Sequence, residues 1–341
     1  EWSNETWSDG FEEPIVVRCK VKVKGDEIFI DFTGSSAQST RGINVVLNYT
    51  HAYASFAIKA AICPDVPHND GSFRPVHVSA PAGSILNALE PAPVASRQVI
   101  GHFIPSAIFA ALSGAMPGRL MAPGADPIWL SVWRGHNPPF TLTLFQVGGT
   151  GARPSKDGLN AVGFPRGVAG VPAEIIESLS PVVMRRRQLR PDSGGTGKWR
   201  GGLGQLTEFT RRGDGKWSVS SIADRTVYPA PGLLGGQAGA TGEVFLGDGT
   251  RLHAKALIDL KPGDVVHINL PGGGGYGHPF ERTAEKVLWD VIEGYITAEN
   301  AEREYGVAIR YNGNPDELVK LPDGWEIDRN KTGELRQAKH A

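Results

Sequence analysis

The chain has 341 residues and a formal net charge of −1, with 35 Lys and Arg against 36 Asp and Glu; this suits one large domain or two ordinary ones and excludes partners chosen by bulk charge, such as nucleic acid or an anionic membrane. Hydrophobic residues make up 40% of the chain, enough for a core and too many for disorder, and no apolar run is long enough to span a bilayer. Cys19 and Cys63 are the only cysteines and cannot build a disulfide framework, so a reducing, cytoplasmic compartment is expected, while 44 glycines and 25 prolines, about a fifth of the residues, predict a folded chain rich in tight turns.

The chain opens at Glu1 with neither an initiator methionine nor a basic-then-apolar leader, so it is expected to begin inside a longer protein. Val17, Cys19, Val21 and Val23 alternate with Arg18, Lys20, Lys22 and Lys24, which predicts a strand with one buried and one wet face. Gly25-Asp26 turns it into a second alternating run at 27–32, a hairpin. Ala-rich helical spacing covers 51–62 and stops at Cys63-Pro64, and a second helix is expected over 106–116, ending at Pro117-Gly118. Between them an irregular stretch carries a short extended piece at 76–78.

From residue 126 the signals are mostly strand: 128–133, 140–145, 205–211, 217–222, 243–246, 252–258 and 265–270, with a short helix from Pro172 to Leu179. An amphipathic helix or helical pair follows over 283–305, ended by Gly306, and the polar residues beyond Pro315 are expected to fray. The predicted class is α+β: β-rich mixed sheets, a few packed helices, many Gly/Pro loops and a helical C-terminal tail. Its expected divisions are an N-terminal part with the hairpin and helices over 1–125, a β-rich glycine-loop part over 126–280, and a helical segment with a polar tail over 281–341.

General catalytic signatures fail. The run Gly194-Gly195-Thr196-Gly197-Lys198 continues into Trp199 where a phosphate loop needs Ser or Thr, and Gly272-x-Gly274-x-x-Gly277 lacks the βαβ unit of a dinucleotide site. These glycines read instead as places where two backbones approach closely. Nine histidines are scattered, never at i, i+4 spacing, and no metal ligand set is predicted. His102 stands out because an imidazole in an apolar segment needs a partner and suits acid–base work. The long polar strings place Arg74, Arg153 and Arg190 beside proline and glycine, where a rigid loop holds a fork of donors suited to a carboxylate or phosphate. With Asp157 and Asp192 they are the substrate-binding candidates. The alternative is that these arginines pair with the two aspartates and lock the loops.

Taken together, Asp31-Phe32-Thr33-Gly34-Ser35-Ser36, Phe73-Arg74-Pro75, Gly151-Ala152-Arg153-Pro154, Leu189-Arg190-Pro191-Asp192-Ser193-Gly194-Gly195, Trp199-Arg200-Gly201-Gly202, the 271–277 loop and 301–307 occur in an order that resembles the hydantoinase B/oxoprolinase family. That family comprises the B-type subunits of ATP-dependent hydantoinases, 5-oxoprolinases and related lactamases, and includes acetone and acetophenone carboxylases. The resemblance is to the C-terminal part of such a subunit. It implies that a divalent metal sits in an N-terminal part or a partner chain, such as a separate N-terminal B-type segment, and that ATP is used by an A-type partner subunit. The implied reaction phosphorylates a cyclic-amide oxygen and then completes hydrolysis here; ketone carboxylation is the alternative, and a scaffold that only binds the A-type subunit is another. Family hydrolases carry Asn-Val-Glu-Thr-Ser-Gln where this chain reads Gln98-Val99-Ile100-Gly101-His102-Phe103. Gln98 keeps the carboxamide, the acid is lost, and Gln98 and His102 become the catalytic candidates that contact substrate or phosphate.

Overall fold

The computed structural model describes residues 1–314, 316–317 and 320–338. The alternating Val and Lys residues form β2 (Ile15–Lys24), flanked in sequence by β1 (Trp2–Ser8) and β3 (Glu27–Asp31). Both pairs are antiparallel, and Gly25 supplies the positive φ of the β2–β3 turn. The sheet is completed by β4 (Val76–Ser79), parallel to β3 after a crossover through α1 (Leu47–Ile62). On one face Val17, Cys19, Val21 and Ile30 are buried against α1 and α4 (Phe103–Leu112), which follows the short α2 (Asp70–Phe73) and α3 (Gln98–Gly101). The other face carries the lysines in water, where Lys20 and Lys22 reach Glu1 at 3.1 and 3.2 Å.

Ala54, Ala57 and Ala61 of α1 are small enough for α4 to pack close. Nine of the ten α4 residues are buried, so this helix is apolar all round and runs through the core. It starts and ends earlier than the expected 106–116, because its apolar run begins at Phe103 and the chain turns after Leu112.

The second half is two four-stranded sheets around one core. β5 (Trp129–His136) and β6 (Pro139–Gln146) form a hairpin. After α5 (Ala173–Leu179) come β7 (Val182–Leu189), β8 (Gln205–Arg211), β9 (Trp217–Ile222), β10 (Glu243–Leu246), β11 (Leu257–Leu260) and β12 (Val266–Asn269). The strand orders are β11-β9-β5-β6 and β10-β12-β8-β7. Period-two alternation turns Trp129, Trp133, Trp217 and Val219 of one sheet toward Phe209, Val266 and Ile268 of the other. Trp133 is fully buried at the centre, 5.0 Å from Phe209 and 5.4 Å from Trp217 between ring centroids.

The expected strand at 252–258 lies later, at β11. Residues 250–256 instead bond to both sheets, Leu252 N–H to Val244 and Ser221 and Ala223 N–H to Ala256 and Ala254. The sequence reading omits β1, whose inner face carries polar Thr6 and Ser8, and β7, where a bulge and Arg185, Arg186 and Arg187 break the alternation.

Between these layers the glycine strings run as neither helix nor strand and hydrogen-bond sideways to one another. Gly202 N–H donates to Thr150, Gly273 N–H to Gly202, Gly195 N–H to Gly273, and Ala152 N–H to Gly274. A Cβ on Gly273 would stand 2.0 Å from the Thr150 oxygen, and one on Gly202 2.1 Å from the Leu159 oxygen. Backbones touch here as at the crowded axis of collagen, where only glycine fits.

The described residues of the tail form mostly helices. α6 (Ala284–Ile292) and α7 (Ala298–Tyr305) are a helical pair, capped by the Thr283 and Thr297 side chains and, at the end of α7, by left-handed Gly306. A small hairpin of β13 (Ile309–Tyr311) and β14 (Trp325–Ile327) and α8 (Arg329–Ala338) follow. This corrects the expected fraying: Ile309, Trp325 and Ile327 pack on the core of Val287, Val291 and Tyr305. The part of that expectation falling on 315, 318, 319 and 339–341 lies outside the described residues.

Gly273→Ala is expected to destabilise the protein by about 3 kcal/mol or more in urea denaturation, because the new methyl has only backbone to displace. Gly114→Ala, with open space around its Cβ position, is expected to stay within about 1 kcal/mol of the parent.

Candidate functional site

The 148–154 string holds Arg153 rigidly. Gly151 presses on Ala122, whose N–H donates to the Ala152 carbonyl at 2.8 Å, and Arg153 N–H donates to Lys156. One guanidinium nitrogen donates to the Asp157 carbonyl at 2.7 Å, while Nε is buried with no partner. Arg153 edges a cavity of about 350 Å³. Its walls are Ala60 and Ala61 from the end of α1, Phe109 from α4, and Phe164, with Arg119 as a second cation. Phe164 is fixed between Phe56 and Phe109, with ring centroids 6.0 Å from each. An apolar cavity with few convergent polar groups is the usual form of a small-molecule site.

Asp157 faces away from Arg153 into a buried ion network. It takes two bonds from Arg282 at 2.8 and 2.9 Å and one from the Arg200 N–H at 2.7 Å. Arg282 also reaches Asp290 at 2.7 Å, and Arg200 lies 3.6 Å from the same carboxylate. Burial works to raise the Asp157 carboxyl, but the Arg282 bonds hold it below its ordinary value; burial pushes Asp290 up against the pull of both arginines. The network ties the tail helices to the glycine strings.

Gln98, half-buried, opens α3, and His102 is the residue between α3 and α4. The imidazole has no exposed surface, its ring nitrogens have no partner, and the Tyr53 ring lies 5.9 Å away. Burial, with the nearby charge of Arg166, lowers it to about 3, so it is neutral near pH 7. His102 immediately precedes α4 and Phe109 lies seven residues further on, about 10 Å away along the helix axis.

The other candidates lie elsewhere. Arg74 is 78% exposed and pairs with Asp70 at 3.1 Å. Arg190 donates to the carbonyls of Thr241 and Leu270 and lies 3.6 Å from Glu243. Asp192, at φ 59°, accepts from the Thr297 N–H and hydroxyl and from Asn300, holding the start of α7. The structure thus brings Arg153 and Asp157 together and leaves Gln98 with His102, Arg74, and Arg190 with Asp192 at separate places. The aspartates do anchor loops, but through Arg282 and Thr297 in place of the arginines of their own strings.

Sequence reasoning missed several buried charges. Asp126 accepts from the Ser106 hydroxyl at 3.2 Å, and burial, partly offset by Arg225, pushes its carboxyl up to about 7. Arg225 lies over the Phe103 ring at 4.6 Å and donates to the Asp126 carbonyl. Asp224 accepts from Ser8 at 2.5 Å and from Lys255 at 2.9 Å, joining the end of β1 to the second half. Partners more than 200 residues apart leave no local signal. Among the described residues no group of three His, Cys, Asp or Glu side chains is placed to hold a metal ion. The implied divalent metal therefore has no fitting ligand set here. No helix among them is long and apolar enough to cross a membrane.

This fold and these strings are shared. The sequence profile of the Hydantoinase B/oxoprolinase family matches residues 1–279, and the chain belongs to that family. It is 32% identical to the B-type subunit of a putative D-/L-hydantoinase from a Pseudomonas species, over 99% of this chain and 58% of that protein. The crystal structure of the ATP-dependent caprolactamase from Pseudomonas jessenii superposes with a TM-score of 0.80 and 27% identity, covering 98% of this chain and 59% of that one. Nucleotide-free acetone carboxylase shares the fold with a TM-score of 0.81 at 19% identity, over 99% of this chain and 52% of that one. The chain thus spans a little over half the length of these relatives.

Asp126 and His102 oppose each other in pH dependence. The raised Asp126 contributes stability that is whole below its ordinary 3.8 and lost as pH rises through about 7. The depressed His102 contributes stability that is whole above 6.5 and lost as pH falls toward about 3. Relative to the parent, Asp126→Asn is expected to make stability rise more steeply from pH 4.5 to 6.5, and His102→Asn to make it fall, by at most about 1.4 kcal/mol per pH unit. Urea midpoints at three pH values check this; unchanged slopes would refute the assignment.

Proposed function

We propose that the chain is a B-type part of a cytoplasmic, multisubunit, ATP-dependent enzyme that hydrolyses a cyclic amide after an A-type subunit has phosphorylated the amide oxygen. Membership of the family and the likeness to a hydantoinase subunit and a caprolactamase support the class. The observation that carries the site is the cavity of about 350 Å³ that sets Arg153 and Arg119 beside the apolar walls of α1, Phe109 and Phe164. Ring methylenes of a lactam suit Phe109, Phe164 and the α1 alanines. Arg153 and Arg119 suit the anionic oxygens of an activated substrate, where each charge-assisted bond is worth about 1.5–3 kcal/mol.

An amide resists water, and phosphorylation of its oxygen leaves an electrophilic carbon with a good leaving group. A divalent metal supplies an activated water in such chemistry; in this reading it is held outside these residues. Asp157 acts as a positioning residue that sets the carbonyl Arg153 leans on. Gln98 and His102 remain the catalytic candidates of this reading, with the buried, neutral imidazole a hydrogen-bonding group and not a base, since burial disfavours its protonated form. Arg74, Arg190 and Asp192 do not line the cavity; in this reading each holds its own loop, through Asp70, the Thr241 and Leu270 carbonyls, and the start of α7. A second reading, ketone carboxylation, draws on the 98–103 segment, where Ile100 stands in place of the family hydrolases' acid.

The test is a complex reconstituted with the A-type partner and the rest of the B-type subunit. It is assayed for ADP release and product with hydantoin, 5-oxoproline and caprolactam, and with ketones plus bicarbonate. Amide-dependent turnover without bicarbonate is expected. Arg153→Met should lower kcat/KM about 10–100-fold, with partial rescue by Lys. Full activity of Arg153→Met would exclude the cavity, full activity of His102→Ala would exclude the imidazole, and strict bicarbonate dependence would select the carboxylase reading.

A further inference from the structure

A second cavity, of about 440 Å³, opens at one end of the sheet β11-β9-β5-β6 and shares no residue with the Arg153 cavity. Strand register builds it. Arg134 of β5 and Asp259 of β11 both stand opposite Ser218 of β9, so the three lie in one row across neighbouring strands. Lys216 enters from the start of β9, and Lys261 from the end of β11, where the Trp217 indole N–H holds its carbonyl at 3.1 Å.

These charges have no counterpart of their own. The side-chain groups of Arg134, Lys216, Lys261 and Asp259 and the Ser218 hydroxyl form no ion pair or hydrogen bond among the described residues, although the Lys261 backbone N–H donates to the Asp264 carboxylate at 2.7 Å and the Lys261 charge helps lower the Asp248 carboxyl, which is held down chiefly by Thr250. By contrast, Arg190, Arg200 and Arg282 each lie against a carboxylate. Three cations around one hollow repel each other, so an anion entering it is favoured twice, by attraction and by relief of that repulsion.

We propose that this cavity binds a small phosphate monoester that carries a free hydroxyl group. Arg134, Lys216 and Lys261 against Asp259 leave two positive charges, counting the His136 imidazole in the lining as uncharged, which matches the roughly −1.5 to −2 of a phosphate monoester at neutral pH. Arg134 supplies a planar fork and the two lysines supply compact charges for the phosphate oxygens. Asp259 repels a second acid group and, with Ser218, accepts from a hydroxyl; this selects a hydroxylated phosphate over a polycarboxylate.

Isothermal titration with ribose 5-phosphate, inorganic phosphate, ribose and poly-glutamate at matched ionic strength tests it. Saturable binding of ribose 5-phosphate is expected, with inorganic phosphate weaker and ribose silent. Lys216→Gln/Lys261→Gln should weaken it at least 10-fold, and Asp259→Asn should erase the preference over inorganic phosphate. All these side chains reach solvent, and circular dichroism verifies that the variants fold. Unchanged affinity in the double variant, equal binding of inorganic phosphate by the parent, or a response to poly-glutamate alone, which would mark an acidic protein surface, each overturns the proposal.

Discussion

Contact of backbone with backbone along the glycine strings is the constraint on which the rest of the molecule depends. A Cβ at Gly149, Gly201, Gly272 or Gly274 would sit about 2 Å or less from a carbonyl oxygen of a neighbouring string. Such proximity lets the strings satisfy one another's N–H and C=O groups without a sheet, which buried backbone requires. The price is conformational entropy, since glycine loses more freedom on folding than any other residue. Side chains at the edges of the bundle are consequently placed with little slack, and Arg153 is one of them.

Buried charges then join the bundle to the layers around it. Arg282 and Asp157 are 125 residues apart in the chain, and Asp224 bonds Ser8 across 216. Each pair takes ions out of water, so each is retained at a cost that only good geometry offsets. Their effect is positional: the tail helices are set against the 193–204 string, and β1 is set against the second half. The Arg153 cavity lies where α1, α4 and that bundle meet, so its shape depends on all three.

The two cavities differ in what surrounds their cations. Arg153 has one partner and an unpartnered Nε beside apolar walls, whereas Arg134, Lys216 and Lys261 face each other at the open end of a sheet. The first suits a compact substrate with apolar and anionic ends. The second suits an anion with little apolar surface. The two proposals therefore draw on the same residue types and differ in the neighbours around the cations.

Local pattern was enough for the hairpin of β2 and β3, for β5, β6, β8, β9, β10 and β12, and for α5, because alternation and turn residues act within a few positions. Pattern also made the glycine strings visible, and with them the family, since a close approach tolerates no other residue. It was not enough for β1 and β7, whose faces do not alternate in polarity, nor for the tail hairpin and α8, which are stabilised by packing on α6 and α7. Which arginine meets which aspartate, the burial of His102 and Asp126, and the walls around Arg153 were decided by tertiary structure alone. Those features are made of residues far apart in the chain, and the free energy of bringing charges out of water belongs to the assembled fold and to no segment of it.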